Sequence, residues 1–178
     1  MTLAHRLAQT DDLPALHALM ARSIAGLQND FLSPEQVSAS DQVMGLDTQL
    51  VIDQTYFLVE SDGVVAGCGG WSWRETLFGG DNSVVTRAPV PLDPAVDAAK
   101  IRAMYTDPDF VRRGIGRHIL MLCENAARDA GFARVEMMAT LAGVPLYHAC
   151  GYRDVEGVNA VTRAGIVIPM IRMEKPLM

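Results

Sequence analysis

Apolar positions recur with two different periods along the chain, and the alternation between them separates strands from helices. Alternating or β-branched apolar runs predict strands, which we place at residues 4–8, 55–60, 64–73, 100–106, 134–139, 152–160 and 166–173. Apolar spacings of three and four predict helices, which we place after Thr10 or Asp11, after Ser33, over 47–52, over 115–130 and over 144–150. Asp62-Gly63, between two strands, is the strongest hairpin signal.

The most informative stretch leads from a strand through glycines into a helix. After the strand end at 101–105 and a short turn comes the run Val111-Arg112-Arg113-Gly114-Ile115-Gly116-Arg117. The first N–H groups of a helix lack intrahelical partners and lie at the positive end of its dipole, so they bind anions. The two glycines permit close approach, and the arginines add donors. This pattern predicts a pyrophosphate cradle; a tight turn with solvated arginines is the alternative.

The loop differs from two common nucleotide-binding motifs. The Walker pattern is absent, because no Gly-Lys-Ser/Thr follows the glycines. The dinucleotide fingerprint fits in part: Gly114 and Gly116 supply two glycines, and Glu136 lies twenty residues beyond Gly116. Ile119 stands where the third glycine belongs. A nicotinamide-binding oxidoreductase therefore remains a weaker hypothesis.

Length and composition narrow the class of protein. A chain of 178 residues, 49% hydrophobic and 20% charged, is expected to form one globular domain over 1–178. No run approaches the about 18 apolar residues of a membrane span and no signal pattern begins the chain, which predicts a cytoplasmic protein that does not engage a membrane. The three cysteines lie in apolar runs and predict reduced thiols instead of disulfides or a metal site.

The net charge of -6 argues against a nucleic-acid partner, since such proteins are usually basic along one face. It is compatible with a cationic small substrate. Residues 74–97 are rich in glycine and proline and show little periodicity. A loop of this length predicts either a lid on the substrate side or a surface excursion.

Two motifs in order give the chain a family resemblance. They are Asp107-Pro108-Asp109-Phe110-Val111-Arg112-Arg113-Gly114-Ile115-Gly116 and Pro145-Leu146-Tyr147-His148-Ala149-Cys150-Gly151-Tyr152. With the element order, they resemble the coenzyme A loop and the late aromatic segment of the GNAT superfamily of acetyl-coenzyme A dependent N-acetyltransferases. The resemblance implies an α/β fold of the α+β type, with a mixed, mostly antiparallel central sheet flanked by helices.

The resemblance also implies a binding site for acetyl-coenzyme A. Backbone groups of Met104, Tyr105 and Thr106 would meet the acetyl and pantetheine portion. Residues Val111 to Gly116, with Arg117 at the helix start, would hold the pyrophosphate. The family pattern begins with Arg or Gln where Val111 stands, so Arg112 or Arg113 would supply the compensating donor. Thr140 stands where members often carry an asparagine that contacts pantetheine or a nearby water.

The chemistry of acetyl transfer requires a proton acceptor, an oxyanion donor and a proton donor. By resemblance, Tyr147 gives the proton to the leaving thiolate, and a packing role is its alternative. A backbone N–H of residues 104–106 suits the oxyanion. The base stays open among Glu60, Asp107, Glu136 and His148, and a structural or solvated role is the alternative for each. Glu136, beside the cofactor strand, is the candidate of most interest. Trp71 and Trp73, on one face of a strand, could line an acceptor pocket or pack in the core.

The resemblance therefore implies an N-acetyltransferase that moves an acetyl group from acetyl-coenzyme A to a primary amine of a small molecule or peptide. The amine would attack directly in a ternary complex, without a metal. The alternative is a catalytically silent module that binds or senses acyl-coenzyme A. A homodimer is compatible with either hypothesis.

Overall fold

A seven-stranded sheet with helices on both faces organises residues 2–177, the part of the chain that the computed structural model describes. The strands are β1 Leu3–Leu7, β2 Tyr56–Ser61, β3 Val64–Ser72, β4 Ala99–Thr106, β5 Arg134–Thr140, β6 Arg153–Val161 and β7 Val167–Pro176. The helices are α1 Leu13–Leu27, α2 Pro34–Ala39, α3 Thr48–Ile52, α4 Ile115–Asp129 and α5 Val144–Ala149. Short 3₁₀ turns cover Thr10–Asp12, Ser40–Gln42 and Pro108–Phe110.

The strand order is β1-β2-β3-β4-β5-β7-β6. Strands β4 and β5 run parallel, whereas the other neighbouring pairs run antiparallel. The expected mixed, mostly antiparallel sheet flanked by helices is confirmed.

Local sequence signals set several of these boundaries. Ser33 caps α2 with a hydroxyl that accepts the N–H of Gln36 at 3.2 Å, while the Gln36 side chain accepts the N–H of Ser33 at 2.9 Å. At the β2–β3 hairpin, Asp62 (φ +51°) and Gly63 (φ +82°) both adopt the left-handed conformation that a two-residue turn needs. The signals read from the sequence at these two sites are confirmed.

The two faces of the sheet bury separate apolar clusters. On one face, α4 packs Ile119 and Cys123 against β5, where Met137 is also buried. On the other, α1 packs Leu16 against Tyr56 and other residues of β2 and β3. We call these the α4 face and the α1 face. All three cysteines are free thiols, and Cys68 and Cys123 are buried.

The sheet opens between its two parallel strands. Strands β4 and β5 pair only at Ala99 with Val135 and at Lys100 with Glu136. The side chains of Lys100 and Glu136 form a short ion pair that closes this end. Beyond it the strands lack mutual pairing, so the side of β4 that faces β5 presents backbone groups that need other partners.

No helix within residues 2–177 has both the length and the apolar character that crossing a membrane requires.

Candidate active site

A cavity of about 690 Å³ lies where β4 and β5 separate, and residues of both strands line it. It crosses the sheet. On the α4 face it reaches Gly116, Leu146 and Tyr147, and on the α1 face it reaches Gln28 and Met138. Two molecules could therefore approach one another from opposite faces.

The glycine loop places an uncapped helix N-terminus in this cavity. Gly114 precedes α4 with φ +81°, and no side chain of residues 2–177 caps the helix. The first N–H groups of α4 are therefore free for an anion. At Gly114 an added Cβ meets no protein atom within 4 Å, and the positive φ is a reason for glycine that is independent of any ligand. Close approach applies to Gly116, where an added Cβ would lie 2.7 Å from Cδ2 of Leu146.

The structure brings the predicted site residues together around the cavity, with one exception. Those that line it are Met104, Tyr105, Thr106, Val111, Arg112, Gly114, Ile115, Gly116, Arg117, Thr140 and Tyr147. Arg113 does not line it; its guanidinium lies over the ring of Phe110, 5.2 Å from the ring centre. Arg112 and Arg117 are therefore the arginines that can reach a bound phosphate.

Arg112 itself occupies the left-handed region, with φ +63°. This conformation costs a residue with a Cβ atom roughly 1–2 kcal/mol. We expect Arg112→Gly to leave the free energy of unfolding unchanged or raise it by up to about 1 kcal/mol, while the Kd for acetyl-coenzyme A rises several-fold because a phosphate donor is lost. Chemical denaturation and calorimetric titration measure the two effects separately.

A role for Arg112 in binding requires that Arg112→Gly weakens the binding of acetyl-coenzyme A without lowering the free energy of unfolding. Arg112→Lys keeps the charge and the strain, so its stability should match that of the unmodified chain. A variant Arg112→Gly that binds acetyl-coenzyme A as tightly as the original chain would remove Arg112 from the site.

Strand β4 bulges inside the cavity. Tyr105 pairs with Cys68 and Arg102 with Gly70, so Ala103 and Met104 stand opposite the single residue Gly69. Ala103 has φ +50°, and the buried hydroxyl of Tyr56 donates to its carbonyl at 2.7 Å. The bulge is thus fixed from the α1 face. Such strained positions concentrate at functional sites.

Tyr147 presents a protonated hydroxyl to the cavity. It lies on α5, is 7% exposed, and packs edge-on against Tyr152 with ring centres 6.0 Å apart. Burial raises the pKa of its hydroxyl above the ordinary value. The group therefore keeps its proton near neutral pH and can donate it.

Thr140 lines the cavity from β5, and its hydroxyl group already takes part in one hydrogen bond within the protein. Its hydroxyl oxygen accepts a hydrogen bond of 3.3 Å from the Gln28 side chain. The hydroxyl proton remains available for a ligand.

None of the four candidate bases lines the cavity. Glu136 is bound by Lys100 and, at 3.0 Å, by Arg172. Glu136 is therefore neutralised by two cations and is not available as a base, nor as the acidic residue that binds the ribose in a dinucleotide site.

The other three carboxylate and imidazole candidates have structural partners. Asp107 binds Arg22 and accepts the N–H of Asp109, Glu60 lies 3.8 Å from Arg6, and His148 contacts Asp154 at 2.7 Å. Among the described lining residues there is no carboxylate or imidazole.

The two tryptophans also lie outside the cavity lining. Trp71 packs against Phe132 with ring centres 6.1 Å apart, and Trp73 lies under the guanidinium of Arg74 at 4.0 Å. Their role is packing, the alternative considered from the sequence.

The irregular segment 74–97 contributes to the cavity wall and is tied to the rest of the fold. Leu77, Phe78 and Gly79 line the cavity. Arg102 of β4 donates to the carbonyls of Thr76 and Gly79 at 2.9 and 2.7 Å. The segment is therefore an ordered cover of the α1 side.

Sequence reasoning missed the α1-side residues of the cavity. Ser23 and Gln28 sit at the end of α1, and Met44 and Phe78 come from irregular segments. A signal existed in α1: Ser23 follows Leu16 and Met20 at helical spacing, so a polar residue interrupts the apolar stripe. The residues in irregular segments carry no comparable signal.

Solved structures share this fold. A GCN5-related N-acetyltransferase from Rhodopseudomonas palustris is 20% identical, with a TM-score of 0.72 over 99% of this chain and 97% of its own. The putative acetyltransferase YncA from Salmonella typhimurium, solved with acetyl-CoA, is 16% identical, with a TM-score of 0.64 over 100% and 95%. PaiA N-acetyltransferase from Thermoplasma acidophilum, in complex with coenzyme A, is 13% identical, with a TM-score of 0.65 over 99% of each chain. The fold is that of the N-acetyltransferases.

The sequence itself matches the family model described as acetyltransferase (GNAT) family over residues 24–152, more than half of the chain. The chain belongs to this family. None of the curated protein sequences compared with it gives a significant match.

Proposed function

We propose that this chain transfers an acetyl group from acetyl-coenzyme A to a primary amine of a small molecule or peptide, with residues 1–178 acting as one domain. One observation carries the proposal: a single cavity joins the N-terminus of α4, the unpaired side of β4 and Tyr147. Membership of the acetyltransferase family and the cofactors bound to YncA and PaiA support it.

The residues present fit coenzyme A. Its pyrophosphate suits the free N–H groups at the start of α4, with Arg112 and Arg117 as charged donors. Its pantetheine arm carries amide groups, which can pair with the free side of β4 as an added strand would. The bulge at Ala103 and Met104 would then lie close to the thioester.

The transfer reaction proceeds in a ternary complex. A neutral amine attacks the thioester carbonyl, and a backbone N–H of residues 104–106 stabilises the oxyanion. The C–S bond breaks, and Tyr147 donates its proton to the departing thiolate. The proton lost by the amine passes to water, because the described lining residues offer neither a carboxylate nor an imidazole.

This proton path predicts a steep pH dependence. A primary amine has a pKa of about 10.4, so its neutral fraction rises about tenfold per pH unit below that value. We expect kcat/KM to rise about tenfold per unit between roughly pH 6 and 9. The raised pKa of Tyr147 keeps its proton in place over this range, so Tyr147 does not cause an alkaline decline.

Initial-rate measurements at saturating acetyl-coenzyme A test the pH prediction. An acceptor amine of lower pKa provides the control, since its profile should level off at its own pKa. A plateau above about pH 7 with an ordinary alkylamine would reveal an enzyme base and contradict the water path.

The cradle is tested by Gly114→Val. A β-branched residue strains a left-handed position by roughly 1–3 kcal/mol. The loop is expected to rearrange, so that its N–H groups no longer point at one bound phosphate. We expect the Kd for acetyl-coenzyme A to rise about 10- to 100-fold in a calorimetric titration. Gly114→Asn is the control, because Asn tolerates this conformation and should bind within a few-fold of the original chain.

The two Gly114 variants separate strain from obstruction. Loss of affinity in both would mean that any side chain at this position obstructs the phosphate. An unchanged Kd in the valine variant would contradict the cradle.

A binding or sensing module is the second candidate. The observation that favours it is the absence of a base among the described lining residues. Such a module would bind acetyl-coenzyme A and transfer no acetyl group to any amine.

A further inference from the structure

The charges around the cavity restrict the acceptor. Among residues 2–177, the charged side chains that line it are all arginines: Arg102, Arg112 and Arg117. The cavity lining is therefore positively charged, although the chain as a whole carries a net charge of -6. Besides the amine that reacts, a second ammonium group in this cavity would lose its water without gaining a carboxylate partner.

A carboxylate on the acceptor would also lack a partner on the α1 side. Arg102 is 3% exposed, its charge is paired with Asp47 at 3.0 Å, and two further N–H groups donate to the carbonyls of Thr76 and Gly79. Arg112 and Arg117 belong to the glycine loop, where the cofactor phosphates are proposed to bind. An acceptor that enters from the α1 face therefore meets no free charge.

The wall that it meets is apolar. Five lining residues come from one cluster on the α1 face, namely Val43, Met44, Phe78, Met138 and Met170. Methionine side chains adapt to irregular apolar shapes, and aromatic rings add contact area.

One uncharged polar group on this side lacks a partner. The Gln28 side chain donates to Thr140, and its Oε1 atom is the buried side-chain polar atom without a hydrogen-bond partner among the described residues. Gln28 is 7% exposed and lines the cavity. An unsatisfied buried oxygen is costly unless something donates to it.

We propose that the acceptor is a primary amine on an apolar, otherwise uncharged body, and that the Gln28 side chain turns its unpartnered Oε1 atom toward the cavity to accept an N–H from it. This inference rests on the proposed acetyl transfer and narrows it to one substrate class. Polyamines, aminoglycosides and free amino acids are then poor acceptors.

Matched acceptors test the inference. Hexylamine and 1,6-diaminohexane share a chain and differ in one ammonium group, whereas 2-phenylethylamine and phenylalanine differ in one carboxylate. We expect kcat/KM to be at least about 10²-fold higher for hexylamine than for 1,6-diaminohexane, and for 2-phenylethylamine than for phenylalanine, since an unpaired charge is rejected more strongly than a hydroxyl group. Equal or reversed preference would overturn the inference while leaving acetyl transfer intact.

Binding is measured in parallel, by calorimetry on the protein loaded with coenzyme A. Preferential binding of hexylamine without any turnover would support the acceptor class and contradict the transfer reaction. Failure of coenzyme A itself to bind would contradict the proposed function and, with it, the inference that rests on it.

Two variants test Gln28 directly. Gln28→Glu should lower the preference for hexylamine over 1,6-diaminohexane at least about tenfold, because its carboxylate can pair with the second ammonium group. Gln28→Met is the apolar control of similar length: it should retain the preference and raise the KM for hexylamine several-fold through the lost hydrogen bond. Unchanged parameters in both variants would remove Gln28 from the acceptor site, and circular dichroism would verify that both are folded.

Discussion

Tyr147→Phe is expected to lower kcat about 10²- to 10⁴-fold, the range that a positioned proton donor contributes. The change removes one oxygen atom and keeps the ring that packs against Tyr152. Coenzyme A affinity should change little, because the backbone cradle and β4 remain. Single-turnover kinetics and calorimetry measure the two quantities separately.

Tyr152→Phe is the matched control. Tyr152 is also buried, but its hydroxyl donates to Glu124 at 3.0 Å, and the residue does not line the cavity. Loss of the Tyr152 hydroxyl group should leave kcat nearly unchanged. A Tyr147→Phe variant with an unaltered kcat would exclude the proton-donor role, and equal losses in both variants would point to packing.

Asp47→Ala is expected to lower the free energy of unfolding by about 3–5 kcal/mol, as removal of one partner from a buried ion pair does. Asp47 is 2% exposed and Arg102 is 3% exposed, and they lie 3.0 Å apart. Burial already lowers the pKa of Arg102, so its unpaired charge would be costly. Asp47 also caps α3 by accepting the N–H of Gln49.

Asp81→Ala provides the comparison in urea denaturation. Asp81 binds Arg87 and Thr48, yet about a third of its side chain is exposed, so its loss should cost about 1 kcal/mol or less. Similar losses in both variants would show that the Asp47–Arg102 pair is no more important than a surface contact.

Local signals made the elements of the fold predictable. The Ser33-Pro34 cap, the Asp62-Gly63 turn and the glycine loop each depend on residues adjacent in sequence, and the structure places their elements within a residue or two of the prediction. The mixed, mostly antiparallel sheet was expected from the family resemblance, because no local signal determines the order of the strands.

Long-range pairing explains what could not be predicted. The sequence shows Glu136 as an acid within a strand and thus as a candidate base. Only the register of β4, β5 and β7 reveals that Lys100 and Arg172 neutralise it. The register also determines where β4 and β5 separate and which side chains meet between them. Gln28 and Phe78 become neighbours of the cavity through that arrangement alone.

Transfer of label from acetyl-labelled acetyl-coenzyme A to hexylamine tests the central claim most directly. The account predicts saturable formation of N-acetylhexylamine, matched mole for mole by free coenzyme A thiol and strongly reduced in Tyr147→Phe. Tight binding of acetyl-coenzyme A with no label on hexylamine, 2-phenylethylamine or any other amine of a broad panel would contradict the claim and identify a binding module instead.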